Sequence, residues 1–171
     1  MGKLQVIQLE ADNIYSTETS LRQPSAVVTD FGKEFQAEVD DLLETFYGWK
    51  IAIGISAPQV GIQKRIAIIN MDKTKIEDTL VIVNPEILSE SGKKDIKKES
   101  CLSVPNFRGQ VERRHKVNIS YQDRYGVKKE LEIEGFHARI FTHEIDHLNG
   151  ILFVDRMAPN AELEPLEMKW E

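Results

Sequence analysis

The stretch Gly135-Phe136-His137-Ala138-Arg139-Ile140-Phe141-Thr142-His143-Glu144-Ile145-Asp146-His147-Leu148-Asn149-Gly150 decides how this chain is read. Between its two glycines, Phe136, Ile140, Phe141, Ile145 and Leu148 are spread around much of a helical circumference. That spread predicts a helix over 136–149, apolar on most sides and therefore buried. The same helix carries His143-Glu144-Ile145-Asp146-His147, an H-E-x-x-H pattern. Residues four apart lie one turn above the other on one face, so both imidazoles can reach one metal ion. Glu144 falls beside them, where a carboxylate can pass protons to and from water. The plainer alternative is a pair of satisfied core histidines.

Outward from this helix, the chain shows short β-rich runs. Residues 65–70 form one, and residues 79–88 form another in which Pro85 argues for an edge or a bulge. Val117, Ile119 and Tyr121 alternate with polar residues, as do Leu131 and Ile133, and Arg124-Tyr125-Gly126 between them signals a hairpin. Nearer the start, Asp30 can cap a helix whose apolar positions are Phe31, Phe35, Val39, Leu42, Leu43 and Phe46, with Gly48 as its stop. Residues 52–58 mix glycine and small side chains and reach Pro58, which suits an exposed turn or edge segment where backbone approaches a ligand closely. There is no βαβ alternation. The expected fold is α+β, with antiparallel β-sheets packed around a central buried helix carrying the H-E-x-x-H motif.

The 171 residues suit one domain spanning 1–171, and 41% apolar with 29% charged residues is ordinary globular composition. A net charge of −6 argues against general affinity for nucleic acid or anionic membrane. The basic pairs Lys93-Lys94, Lys97-Lys98 and Arg113-Arg114 are short and read as solvated strand and loop faces. No apolar run reaches the length of a membrane span, and the first 14 residues lack a secretory pattern. Met1-Gly2 invites a myristoylation reading that Val6 opposes. The expected location is cytoplasmic, and monomer is the default.

A tetrahedral ion held by two histidines needs another protein ligand and an open position. No histidine follows His147, which excludes an extended three-histidine site, while Glu162, Glu164 and Glu167 sit in an acidic tail that reads as solvated. The better third ligand is Cys101, the single cysteine, within Glu99-Ser100-Cys101-Leu102-Ser103-Val104-Pro105. Alone it would be a small buried hydrophobe. Beside a site one ligand short, its thiolate with two imidazoles suits zinc or ferrous iron.

Three segments together resemble the signature motifs of peptide deformylases, in that family's order: Ala52-Ile53-Gly54-Ile55-Ser56-Ala57-Pro58-Gln59, residues 99–105, and residues 136–150. Leu21-Arg22 and residues 151–157 extend the likeness over most of the chain. The resemblance implies Cys101, His143 and His147 as metal ligands and Glu144 as general acid and base. It implies that Gln59 and the Leu102 N–H stabilise a developing oxyanion, although Gln59 is otherwise a polar residue ending a turn. It implies one divalent ion, Fe(II) in the cell, with Zn(II) or Ni(II) able to occupy the site. The implied partner is the N-formyl-methionyl end of a nascent chain, with the ribosome as its setting, from which formate is released.

Substrate would lie extended between Ile53-Gly54 and the strand around Ser100, adding itself as a strand. Its methionine side chain would enter a pocket lined by Ile53, Phe136 and Ile140, each of which is equally an ordinary core residue. Arg108 resembles a substrate-contacting arginine, or is a surface charge. Four positions depart from the family pattern: Ala52 and Ser100 stand for Gly, Ser56 for Ala, and Thr142 for Gln. Ala52 and Ser100 are expected to crowd the groove or strain a glycine-only backbone, and Thr142 to alter support of the metal site. Two rivals remain: a metalloprotease using Glu167 as third ligand, and a deformylase-like protein that binds peptide N-termini without turnover.

Overall fold

Antiparallel pairing organises the chain from residue 54 to residue 134. β1 (Gly54–Ser56), β2 (Ile66–Ile69), β3 (Leu80–Cys101), β4 (Val104–Gln122) and β5 (Lys128–Glu134) follow one another in sheet order as they do in sequence. The computed structural model describes residues 4–167, so the Met1-Gly2 start lies outside the described residues. Among the described residues two α-helices accompany the strands, α1 (Lys33–Gly48) and α2 (Gly135–Leu148). The fold is α+β.

Several sheets were expected, and one six-stranded sheet is found, because β3 and β4 stay paired through register shifts instead of breaking. One shift falls between Val83 and Glu86, where Asn84 takes φ +49 and Pro85 has no N–H to give to a ladder. Beyond it, β3 runs far past the expected end at residue 88. Residues 86–94 are exposed whichever way they point, so they lack the alternation that marks a half-buried strand. The tail also differs from expectation: Glu164–Pro165 form β6 and pair with β4 through Phe107 and Arg108.

Helix α1 begins at Lys33 with Gly32 as its N-cap, and Asp30 instead accepts the Gly32 N–H at 2.8 Å. Its buried face is Phe35, Val39, Leu42 and Phe46, each contributing roughly 1.5–3 kcal/mol by burial. That face packs on Ile55, Ile66, Ile68 and Val83. Helix α2 touches β4, β1, β2 and β5. Its buried residues are only partly apolar, because Arg139, Thr142, His143, Glu144, Asp146 and His147 are buried with them. The end of α2 is fixed at Gly150, with φ +74, where a Cβ would lie 2.4 Å from the Arg22 carbonyl oxygen. No described helix is long and apolar enough to cross a membrane.

Candidate metal centre and active site

Cys101 stands at the tip of the β3–β4 hairpin. It pairs with Val104 across the two-residue turn Leu102-Ser103, and the Ser103 N–H donates to its Sγ at 3.4 Å. Helix α2 brings His143 and His147 to the same point. One donor atom from each of Cys101, His143 and His147 lies within 4.8 Å of the others, and all three residues are buried. His147 Nε2 is 3.3 Å from Sγ. His143 sets its Nδ1 on Glu99 Oε2 at 3.0 Å, leaving its other ring nitrogen on the side of Cys101.

A buried charge network backs this triangle. Arg113 donates to both oxygens of Glu99, at 2.6 and 2.9 Å, and to Asp146 at 2.8 Å. Arg139 reaches Glu99 at 2.7 Å and Asp95 at 2.8 Å, and Arg156 closes on Asp146 from the surface side. Arg113, expected on a solvated face, is 7% exposed. Pleating explains the reversal, since Gly109, Val111 and Arg113 alternate inward along β4 while Arg114 points out. Arg113, Glu99, Asp146 and Arg139 are therefore site residues that sequence reading missed. A charged residue among charged neighbours carries no mark of which strand face is packed.

The network sets the electrostatics. Burial would raise the Glu99 carboxyl, but hydrogen bonds from His143 and Arg113 hold it well below the ordinary range. For His143, burial opposes charge and is overcome by Cys101 and Glu99, so its pKa rises. His147 falls well below the usual histidine value, through burial and then through the neighbouring His143. Glu144 is pushed up to about 7, chiefly by burial.

These residues fit a bound divalent cation. One thiolate and two imidazoles are a donor set for zinc or ferrous iron. His147 is kept neutral, as a ligand must be. The environment of His143 favours positive charge, the demand a cation satisfies. Glu144 Oε2 and His147 Nδ1 are buried without hydrogen-bond partners among the described residues.

A cavity of about 260 Å³ opens beside Cys101 and His143. It brings together Ile53, Gly54, Ser100, Phe136 and Ile140 with Gln59, Cys101, Leu102, His143 and Glu144. Phe136 is 47% exposed at its rim and is not a core residue. Gly54 lies against Glu144: a Cβ there would be 2.5 Å from Oε1. Gln59 Nε2 donates to Cys101 Sγ at 3.4 Å and to Ser103 Oγ at 3.2 Å. Arg108 is not among the lining residues; its Nε is held by Glu164 at 3.2 Å. Glu167 is exposed and outside the triangle.

Of the departures from the family pattern, Ala52 and Ser100 line the cavity. Neither Ala52 nor Ser100 takes a positive φ, so no glycine-only backbone is strained. The Thr142 hydroxyl turns back on its own helix, donating to Ala138 O at 2.9 Å or Arg139 O at 3.1 Å, and supports no residue of the triangle.

Hydrolysis at a metal ion is the chemistry that an H-E-x-x-H helix serves, and the open cavity leaves room for a substrate beside Glu144. Fold and site thus define a metallohydrolase. Among known proteins, the sequence profile described as Polypeptide deformylase matches residues 12–162. The peptide deformylase of Caldicellulosiruptor bescii is 44% identical over 149 residues, 87% of this chain and 86% of its own. A peptide deformylase crystal structure from Legionella pneumophila superposes with TM-score 0.81 at 35% identity, covering 92% of this chain and 88% of that one. The Met-Ala-Ser-bound deformylase of Acinetobacter baumannii superposes with TM-score 0.77 at 36% identity over 91% of this chain and 99% of its own. The chain belongs to the polypeptide deformylase family.

Proposed function

We propose that residues 1–171 form a single catalytic domain, arranged around α2 as its central helix, that removes the formyl group from formyl-methionyl nascent polypeptides and releases formate. The observation that carries this reading is the Cys101, His143 and His147 triangle, of which Cys101 and His143 line a cavity together with Gln59 and Glu144. The three residues would hold one divalent ion, Fe(II) in the cell, with Zn(II) or Ni(II) able to replace it. When bound, that ion supplies Lewis acidity that activates water and polarises the formyl carbonyl.

Glu144 is the general base and then the general acid. A carboxyl near 7 can take a proton from water at physiological pH and return it to the departing amine nitrogen. Gln59 Nε2 and the Leu102 N–H are the donors for the oxyanion, each fixed before substrate arrives, and one such donor contributes a few kcal/mol. The peptide lies along β3 at Ser100 with Ile53-Gly54 opposite, and its methionine side chain rests among Ile53, Phe136 and Ile140. The absence of a side chain at Gly54 is what allows Glu144 to approach the backbone there. Arg108, held by Glu164, takes the surface role. The protein acts as a cytoplasmic monomer on chains at the ribosome. Anaerobically purified, iron-loaded protein should release formate from formyl-Met peptides; cleavage of internal peptide bonds instead, or binding without formate release, would overturn the reading.

A further inference from the structure

Among the four departures from the family pattern, Ser56 is hydrogen-bonded to Gln59. Its backbone N–H and its hydroxyl both donate to Gln59 Oε1, at 2.9 and 3.0 Å. Both residues are almost wholly buried, Ser56 at 0% and Gln59 at 2% exposure. We infer that Ser56 is a positioning residue, whose hydroxyl locks and polarises the Gln59 side-chain amide that serves the oxyanion. The inference rests on the deformylase reading of the site.

The geometry comes from a local device. Ser56 ends β1 and is the N-cap of the 3-10 turn Ala57–Val60, so Gln59 occupies the third position of that turn. A glutamine there reaches back to the N-cap N–H, which is half of a capping box. With alanine at position 56 that backbone bond survives, and the amide has one donor on its oxygen. With serine it has two. Withdrawing electron density through Oε1 strengthens Nε2–H as a donor, since linked hydrogen bonds polarise one another. At the other end, Nε2 is already steered by Ser103 Oγ and Cys101 Sγ. The amide is thus held at both ends with its donors on the triangle side.

Burying a hydroxyl where alanine would pack as well gains no apolar contact and carries a desolvation cost unless the hydroxyl is bonded. The hydroxyl also faces the Glu144 carboxyl. It carries one proton, so the two acceptors compete for it, and the experiment must separate them.

The parent, Ser56→Ala, Gln59→Ala and the double variant, each full-length and iron-loaded, are compared for formate release from a formyl-methionyl peptide. Ser56→Ala should lower kcat about three- to tenfold, the range of one hydrogen bond, with KM changed less than twofold. In the Gln59→Ala background the same change should add nothing. Parental kinetics in Ser56→Ala, or effects that multiply in the double variant, would overturn the inference and point to Glu144 or to packing. A second measurement needs no turnover. In 15N-labelled, zinc-loaded protein, the Gln59 side-chain amide pair is identified by its loss in Gln59→Ala. It should move and exchange faster with solvent in Ser56→Ala, and an unmoved pair sinks the inference. If the parent releases no formate, the deformylase reading fails while the resonance still decides whether Ser56 holds Gln59.

Discussion

Arg113 and Arg114 are neighbours on β4 and live in opposite worlds. Arg113 lies opposite Asp95 in the β3–β4 ladder and turns inward to Glu99 and Asp146. Arg114 lies opposite Lys94 and turns outward, donating to the Gly92 carbonyl. The same contrast separates the two regions of the ribbon. Near Cys101 the buried Glu99 is bound by the buried Arg113 and Arg139, and the buried Asp146 by Arg113, with Arg156 joining from the surface; around Lys94 and Glu112 the charges are more exposed pairs. An exposed pair contributes about 0–1 kcal/mol. Removing one partner of a buried pair costs about 3–5 kcal/mol, because the other charge is left without compensation. Burial, not residue type, decides which charges matter.

The largest effects should come from the buried end. Glu144→Gln should keep its metal while turnover falls about a thousandfold or more, and Cys101→Ala should lose stoichiometric metal altogether. Metal analysis beside formate release distinguishes them; loss of metal from Glu144→Gln would make that carboxyl a ligand or a structural group. Gly54→Ala should lower kcat roughly a hundredfold with metal retained, because the new Cβ displaces Glu144. A variant with parental kcat would show that Glu144 moves aside without loss.

The contrast between the arginines is tested directly by denaturant unfolding. Arg113→Ala should lose about 3–5 kcal/mol and Arg114→Ala less than about 0.5 kcal/mol. Equal losses would erase the distinction drawn between the two ends. Smallest are Ser100→Gly and Ala52→Gly. Since neither backbone requires glycine, each should lower stability by about 0.5–1 kcal/mol through unfolded-state entropy and leave KM unchanged. A lower KM in steady-state kinetics would restore the idea of a crowded groove.

What was legible in the sequence follows the same division. The H-E-x-x-H pattern has meaning only on a helix, so residue type and conformation were read together, and α2 spans Gly135–Leu148 within a residue of its expected limits. Residues 89–94 were not legible as strand, because a ladder exposed on both faces needs no apolar alternation. The roles of Glu99 and Arg113 were hidden for a related reason: Glu99 on β3 meets Arg113 on β4, both meet residues of α2, and no local spacing encodes those meetings. Ser56 is different. Ser-x-x-Gln is itself a capping signature, and the sequence alone therefore ties Ser56 to Gln59.

The two-residue turn at Leu102-Ser103 sets an order in time. It closes the shortest loop on which any residue of the triangle depends, and a tight hairpin of this kind zips within microseconds. Gln59 and His147 reach the same sulfur from 42 and 46 residues away, and contacts so distant along the chain slow a fold. In refolding, the cysteine should therefore be shaped by its own turn first, with the histidines delivered when α2 docks. Rate analysis of variants would show this as early-formed contacts around Val104 and late-formed ones around Ile145; the reverse order would mean that the helix gathers the hairpin. The half of the site that waits for α2 is the half that decides when the protein can first retain an ion.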